Sequence, residues 1–166
     1  SVLSVACGHL RETVWSESLR KRNFETFVAL DQDEGSLKVV ARDYGDLGIT
    51  TVKNSVLDLL KARSGIEGQT FDLVYAAGLY DYLDNDVAKS LTALLFGKLR
   101  QDGKLLIANF LPGIPDVGYM EAYMDWWLIY RSAEELLACA PENSNARTFT
   151  DPDMNIVFME MTKTPG

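Results

Sequence analysis

The sequence predicts an α/β fold: an open, twisted, mostly parallel sheet of seven strands with helices on both faces and an antiparallel hairpin at its C-terminal end. Three observations predict it. Apolar, β-rich runs recur about two to three dozen residues apart, with a helical stretch between each pair, the pattern of right-handed βαβ units. The last two apolar runs flank only a short turn at Asp151-Pro152-Asp153, and strands joined so briefly must be antiparallel. At 166 residues and 47% hydrophobic, the chain can bury one substantial core, which argues for one domain.

Taken in order, residues 2–6 read as the first strand and 10–22 as a helix. Residues 27–30 form the second strand, which ends at Asp31, and 36–42 are helical. A third strand over 49–52 leads to a helix over 56–62, and 71–76 is the fourth strand. The next helix starts near Asp84-Asn85, whose side-chain oxygens suit an N-cap, and Val87, Leu91, Leu94 and Leu95 fall on one face of it. Asp102-Gly103 is expected to close that helix, with glycine in the left-handed position. Residues 105–108 are the fifth strand. The rhythm then breaks: 119–130 reads as an aromatic-rich helix, and Ser132 caps another through about 140. Residues 146–149 and 156–161 form the hairpin. Because a buried strand begins at once, residues 1–166 are expected to be a core domain whose N-terminal part is missing.

Composition narrows the function classes. The net charge is −8, with no cluster of Lys and Arg, so a nucleic-acid partner is not expected. The two cysteines, Cys7 and Cys139, form no disulfide framework, and no Cys/His set has zinc spacing, so no metal is expected. Neither a signal peptide nor a membrane-spanning run is expected from these residues. The expected setting is the reduced cytoplasm, and the expected partner is a small molecule. Oligomeric state is not legible.

In open α/β sheets, ligands bind beyond the carboxyl ends of the strands, where strand order reverses. Four strand ends therefore matter. In Val5-Ala6-Cys7-Gly8-His9-Leu10-Arg11, Gly8 allows close backbone approach and the helix start offers unpaired N–H groups. Asp31, followed by Gln32, ends the second strand 23 residues after Gly8; a carboxylate there can accept both hydroxyls of a ribose. Asn54-Ser55-Val56 could read an adenine ring through a side-chain oxygen and a backbone N–H. Small residues at Ala76-Ala77-Gly78 make room for a ligand, and Tyr80 and Tyr82 beyond them could wall a substrate pocket or pack a helix.

The order VLSVACGHLRE, FVALDQD, ITTVKNSVLDL, FDLVYAAGLYDYLDN and LRQDGKLLIANF resembles a class I S-adenosylmethionine-dependent methyltransferase from first to fifth strand. The terminal hairpin matches too. The resemblance implies a Rossmann-like methyltransferase fold, a transferase activity and S-adenosyl-L-methionine as cofactor. By position it implies that Ala6, Cys7, Gly8 and His9 cradle the methionine portion and that Asp31 holds the ribose. Ser55 and Val56 would meet adenine, and Ala77 and Gly78 would line the floor. The sequence departs from the family where Ala6 and Leu10 replace two loop glycines, and where Ser4 and Ser55 stand in places usual for acids. The segments GHLRE, LYDYLDN, IANF and YMDWWLIYR resemble a narrower bacterial group linked to 3-hydroxy fatty acid methyl ester (extracellular factor) signals, which implies O-methylation of a fatty-acid carboxylate.

Methyl transfer from a sulfonium is an in-line displacement, and alignment is worth roughly 7–11 kcal/mol in favourable cases. A carboxylate acceptor needs no base; an alcohol or ammonium acceptor does. The catalytic candidates are His9, the only histidine, Asn109 at the end of the fifth strand, and Tyr80. On the acceptor side, Tyr82, Tyr123 and Trp127 could wall an acyl chain, with Tyr119, Trp126 and Tyr130 beside them, and Arg131 could pair with a carboxylate or serve structurally. Residues 112–115 read as a loop over the site. Two other functions share the sheet: an NAD-linked oxidoreductase, whose glycine fingerprint is not met at Ala6 and Arg11, and a non-catalytic cofactor-binding or interaction module, favoured by the thinned glycine loop.

Overall fold

The computed structural model describes residues 1–61, 63, 65–142 and 144–164. Its strands are β1 Val2–Val5, β2 Phe27–Asp31, β3 Ile49–Lys53, β4 Phe71–Ala76, β5 Leu99–Phe110, β6 Asn145–Thr150 and β7 Ile156–Thr162. Its α-helices are α1 Glu17–Arg20, α2 Glu34–Tyr44, α3 Val56–Leu60, α4 Asn85–Gly97, α5 Val117–Met124 and α6 Ala133–Leu137. The strands make one seven-stranded sheet in the order β3-β2-β1-β4-β5-β7-β6. The first five pair in parallel, while β7 runs antiparallel to both β5 and β6. The chain moves outward from β1 to β3 and then crosses to β4, so strand order reverses between β1 and β4.

Side chains alternate across a strand, and the core divides accordingly. Leu3, Val5, Val28 and Leu30 join Leu59, Leu91, Leu95 and Leu136 on one face. Phe27 and Ala29 point the other way and meet Leu10, Leu19, Leu37 and Val40. Thus α3, α4 and α6 cover one face and α1 and α2 the other. Strand β2 is buried at every position, as a strand covered on both faces must be.

Several expected elements differ, each for a local reason. The helix expected over 10–22 is a 3-10 turn, Arg11–Trp15, followed by α1. Ser16 sits extended between them and its side chain accepts from the Leu19 N–H at 3.2 Å, so it restarts the helix. The helix expected over 36–42 begins earlier because Asp33 caps it through the Gly35 and Ser36 amides. Of the helix expected over 56–62, α3 ends at Leu60 and Ala62 lies outside the described residues.

Asp102-Gly103 does not close α4, which ends at Gly97; both residues lie within β5. Asp102, not Gly103, takes the left-handed conformation, with φ 61°. Gly103 is needed for space: a Cβ there would lie 2.9 Å from the carbonyl oxygens of Arg100 and Phe71. The β4–β5 register steps from Phe71↔Leu99 to Leu73↔Lys104 at this point. The aromatic helix expected over 119–130 stops at Met124, because Asp125 turns left-handed at φ 50°. The chain from Trp126 to Arg131 then lies against β5, with the Arg131 N–H donating to Phe110 O at 3.0 Å. Ser132 and Glu135 form a capping box for α6, which ends at Leu137 rather than near 140. The hairpin stands as expected.

Candidate functional site

A cavity of about 330 Å³ opens at the carboxyl ends of β1, β2 and β3 and beside the turn after β4, at the reversal of strand order where such sheets bind ligands. Of the expected residues, Ala6, Asp31, Gln32, Asn54, Ser55, Val56, Gly78 and Tyr82 line it. Cys7, Gly8 and His9 line an open depression with Arg11 and Ser36 instead. Ala77 is exposed and contributes no lining.

The first loop is built by backbone conformation. Ala6, Gly8 and Leu10 are left-handed, at φ 52°, 51° and 53°. An L-residue enters that region at roughly 1–2 kcal/mol. Full burial of the Leu10 side chain, worth about 1.5–3 kcal/mol, offsets the strain at one end. The loop is fastened by Asp31: Oδ2 accepts from Gly8 N–H at 2.8 Å and Oδ1 from Asp33 N–H at 2.8 Å. Each carboxylate oxygen keeps a further lone pair at the cavity lining. Burial, together with the charges of Asp31 and Glu12, pushes the Cys7 thiol up to about 12.

At the end of β3, Asn54 donates from Nδ2 to Arg63 O at 2.7 Å, which fixes the orientation of its amide. Its Oδ1 is buried with no hydrogen-bond partner among the described residues, a state that costs roughly 1–3 kcal/mol unless a donor arrives. The hydroxyl of Ser55 is already used: it donates to Asp58 Oδ2 at 2.6 Å and accepts from Asp58 N–H to cap α3. What Ser55 and Val56 offer the cavity is therefore backbone and, for Val56, an apolar side chain.

The expected catalytic and substrate residues are mostly not brought to the cavity. Tyr80 is fully buried and its hydroxyl pairs with Thr92 Oγ1 at 2.9 Å. Asn109 is buried, with Nδ2 donating to Phe110 O and Ile129 O and Oδ1 accepting from Arg131. Arg131 is 1% exposed and gives all five of its donors to Tyr80 O, Leu83 O, Asn109 Oδ1 and Asn85 Oδ1, so it has none left for a substrate carboxylate. His9 is exposed and shares the open depression with Ser36 of α2, outside the cavity. Tyr123 and Trp127 are 85% and 64% exposed, outside the cavity; Tyr123 stacks on Tyr119 and Trp127 donates to Asp125. Only Tyr82 belongs to both surfaces. It lines the cavity, and its hydroxyl accepts from Trp126 Nε1 at 2.6 Å.

The sequence reading missed Leu79 and Leu83, which line the cavity on either side of Tyr80. It also missed Asp81, buried at 4% exposure, whose carboxyl accepts from Phe110 N–H at 2.7 Å and is pushed up by burial. The available signal was the run of alternating apolar and acidic residues in LYDYLDN. Among the described residues no cluster could hold a metal ion, and no helix is long and apolar enough to cross a membrane.

Neither a protein-family model nor a curated protein matches the chain in sequence. Solved structures do match in shape. The chain superposes on a possible exported protein from Bordetella parapertussis with a TM-score of 0.77 at 17% identity, over 99% of this chain and 61% of that one. It superposes on an O-methyltransferase family protein from Burkholderia thailandensis with a TM-score of 0.70 at 16% identity, over 99% and 51%. A third likeness is to DhpI, solved as its complex with SAH: TM-score 0.67, 14% identity, 99% and 77%. The chain spans less than two thirds of the first two structures. At these identities the likeness is one of fold, and the chain has the Rossmann-like methyltransferase fold, a mostly parallel seven-stranded sheet ending in an antiparallel hairpin.

Proposed function

We propose that the chain binds S-adenosyl-L-methionine in the cavity at the β1–β4 switch and transfers its methyl group to a small, largely apolar acceptor. The observation that carries this reading is the carboxylate of Asp31 clasped to the left-handed loop at Gly8. The orphaned acceptor of Asn54 in the same cavity fits an adenine amine. When bound, the cofactor supplies an electrophilic methyl group on a sulfonium. The chain's own residues hold it. The loop from Ala6 to His9 faces the methionine portion, Asp31 and Gln32 take the ribose hydroxyls, and Asn54 Oδ1 with the backbone of Ser55 and Val56 takes adenine. Gly78 leaves the floor open. Two buried free cysteines suit a reducing compartment.

The acceptor side is defined by Tyr82 and the exposed aromatic surface of Tyr119, Tyr123 and Trp127. That surface suits an acyl or aromatic body. A fatty-acid carboxylate remains the first acceptor class to screen, but Arg131 is not its partner, so orientation would rest on the cofactor's own positive charge. The antiparallel β7 between β5 and β6 sets the sheet apart from the dinucleotide order 3-2-1-4-5-6 and disfavours NAD. The left-handed conformation kept at Ala6 and Leu10 favours a working loop over a degenerate one.

Calorimetric titration with S-adenosylmethionine and S-adenosylhomocysteine, with NAD as control, tests the reading. Both sulfur compounds should bind and NAD should not. Asp31→Ala removes hydrogen bonds to a charged group, worth about 1.5–3 kcal/mol, and should weaken binding at least tenfold. Absence of binding by the unaltered chain refutes the proposal.

A further inference from the structure

We infer that Arg131 is a positioning residue that sets the acceptor-side wall of the cavity from behind, an inference that rests on the cavity's being the cofactor site. The wall is the turn after β4, where Leu79, Tyr82 and Leu83 line the cavity. Tyr80–Tyr82 is a single 3-10 turn, held within itself by Tyr82 N–H to Leu79 O at 3.1 Å and Leu83 N–H to Tyr80 O at 3.1 Å. So short a turn does not fix its own position.

Arg131 does. Its Nη1 donates to Tyr80 O at 2.8 Å and its Nη2 to Leu83 O at 2.5 Å, so one rigid, planar group grips the turn at both ends. The same guanidinium reaches Asn109 Oδ1 at 2.8 Å on β5 and Asn85 Oδ1 at 3.0 Å at the first residue of α4. Asp81 completes the lock by accepting from Phe110 N–H. The turn after β4, the start of α4 and the carboxyl end of β5 are thereby set at fixed spacing around a buried charge.

Every atom that Arg131 grips is neutral, and among the described residues it makes no ion pair. The buried Asp81 carboxyl feels this charge but pairs with Phe110 N–H instead; burying a charge without a direct ion pair is expensive, and an apolar side chain would fill the space with no such penalty. A guanidinium does here what no apolar residue can: it satisfies a carbonyl at each end of the turn, Tyr80 O and Leu83 O, and two asparagine oxygens at defined angles. Tyr82, whose hydroxyl is fixed by Trp126, is then presented to the cavity in one place.

The test uses Arg131→Lys, which keeps the charge but loses the fork, and Asn85→Ala, an exposed position whose loss removes two of the guanidinium's hydrogen bonds while residue 131 itself is unaltered. The control is Met161→Ala, a fully buried β7 residue of the same core cluster away from the turn. Two readouts are compared: amide exchange at Tyr82 and Leu83 in the ligand-free chain, and affinity for S-adenosylhomocysteine measured well below each variant's melting temperature. Arg131→Lys should speed exchange of these two amides at least tenfold beyond the control and weaken binding about tenfold; Asn85→Ala should do the same about threefold. If Arg131→Lys only lowers the melting temperature, with exchange at the turn and affinity matching the control, the positioning role is refuted. If the unaltered chain binds no S-adenosylhomocysteine, the cofactor reading fails, and amide exchange still decides what Arg131 does.

Discussion

One substitution, made at two alanines, should change stability in opposite directions. Ala6 stands at φ 52° in the first loop, and Ala41 is exposed inside α2. At Ala6 the present residue bears roughly 1–2 kcal/mol of left-handed strain. Glycine removes it, at the cost of about 0.5–1 kcal/mol in added freedom of the unfolded chain. Ala6 is half-buried, so little apolar contact is lost. The net expectation is stabilisation of about 0.5–1 kcal/mol. Ala41→Gly loses about 1 kcal/mol of helix propensity with nothing in return. The two variants should thus differ by about 1.5–2 kcal/mol, or about 3–8 °C in melting temperature for a chain of this length. Gly8→Ala completes the set: at φ 51° a Cβ meets nothing within 4 Å, so backbone strain acts alone and stability should fall by about 1 kcal/mol. Urea titration and thermal melting followed by far-UV circular dichroism give all three. The reasoning is refuted if Ala6→Gly destabilises the chain as Ala41→Gly does, since residue 6 would then not be left-handed in solution.

Two further outcomes are expected. The Cys7 thiol, pushed up to about 12 mainly by burial, is harder to ionise folded than unfolded. Its contribution is therefore fully present below the unfolded thiol pKa of about 8.5 and is lost as pH rises toward 12, by at most about 1.4 kcal/mol per pH unit. Urea midpoints between about pH 8.5 and 10 should fall less steeply for Cys7→Ala than for the unaltered chain; equal slopes would show that the thiol is not held up. In the β4–β5 step, Gly103→Ala places a Cβ 2.9 Å from two carbonyl oxygens and should destabilise by about 1–3 kcal/mol. Asp102→Gly, at φ 61°, should be neutral or stabilising by up to about 1 kcal/mol. Melting temperatures in the reverse order would return the left-handed role to Gly103.

The sequence by itself determined the order and type of the strands, the antiparallel hairpin and the strand ends that form the cavity. These are local matters. Apolar, β-rich runs and the short Asp151-Pro152-Asp153 link each act over a few residues, and ligand sites follow strand ends by topology. Asp31 was legible as a cavity residue because it ends the second strand, and strand ends border the switch point. Helix lengths were less legible, since single caps decide them: Ser16 divides the first helical stretch, and Asp125 ends α5 by turning left-handed.

Only the tertiary structure decided which polar residues are free to do chemistry. Tyr80, Asn109 and Arg131 have the right chemical types for a catalytic or acceptor site, yet apart from the bond of Asn109 to Phe110 O their partners lie 12 to 51 residues away in sequence. Nothing local shows that they satisfy one another. Tyr82, two residues from Tyr80, escapes that network because the 3-10 turn rotates it toward the cavity. Whether a hydrogen-bonding group is used or available depends on every donor and acceptor within reach. That inventory exists only once the chain has folded and buried the groups together.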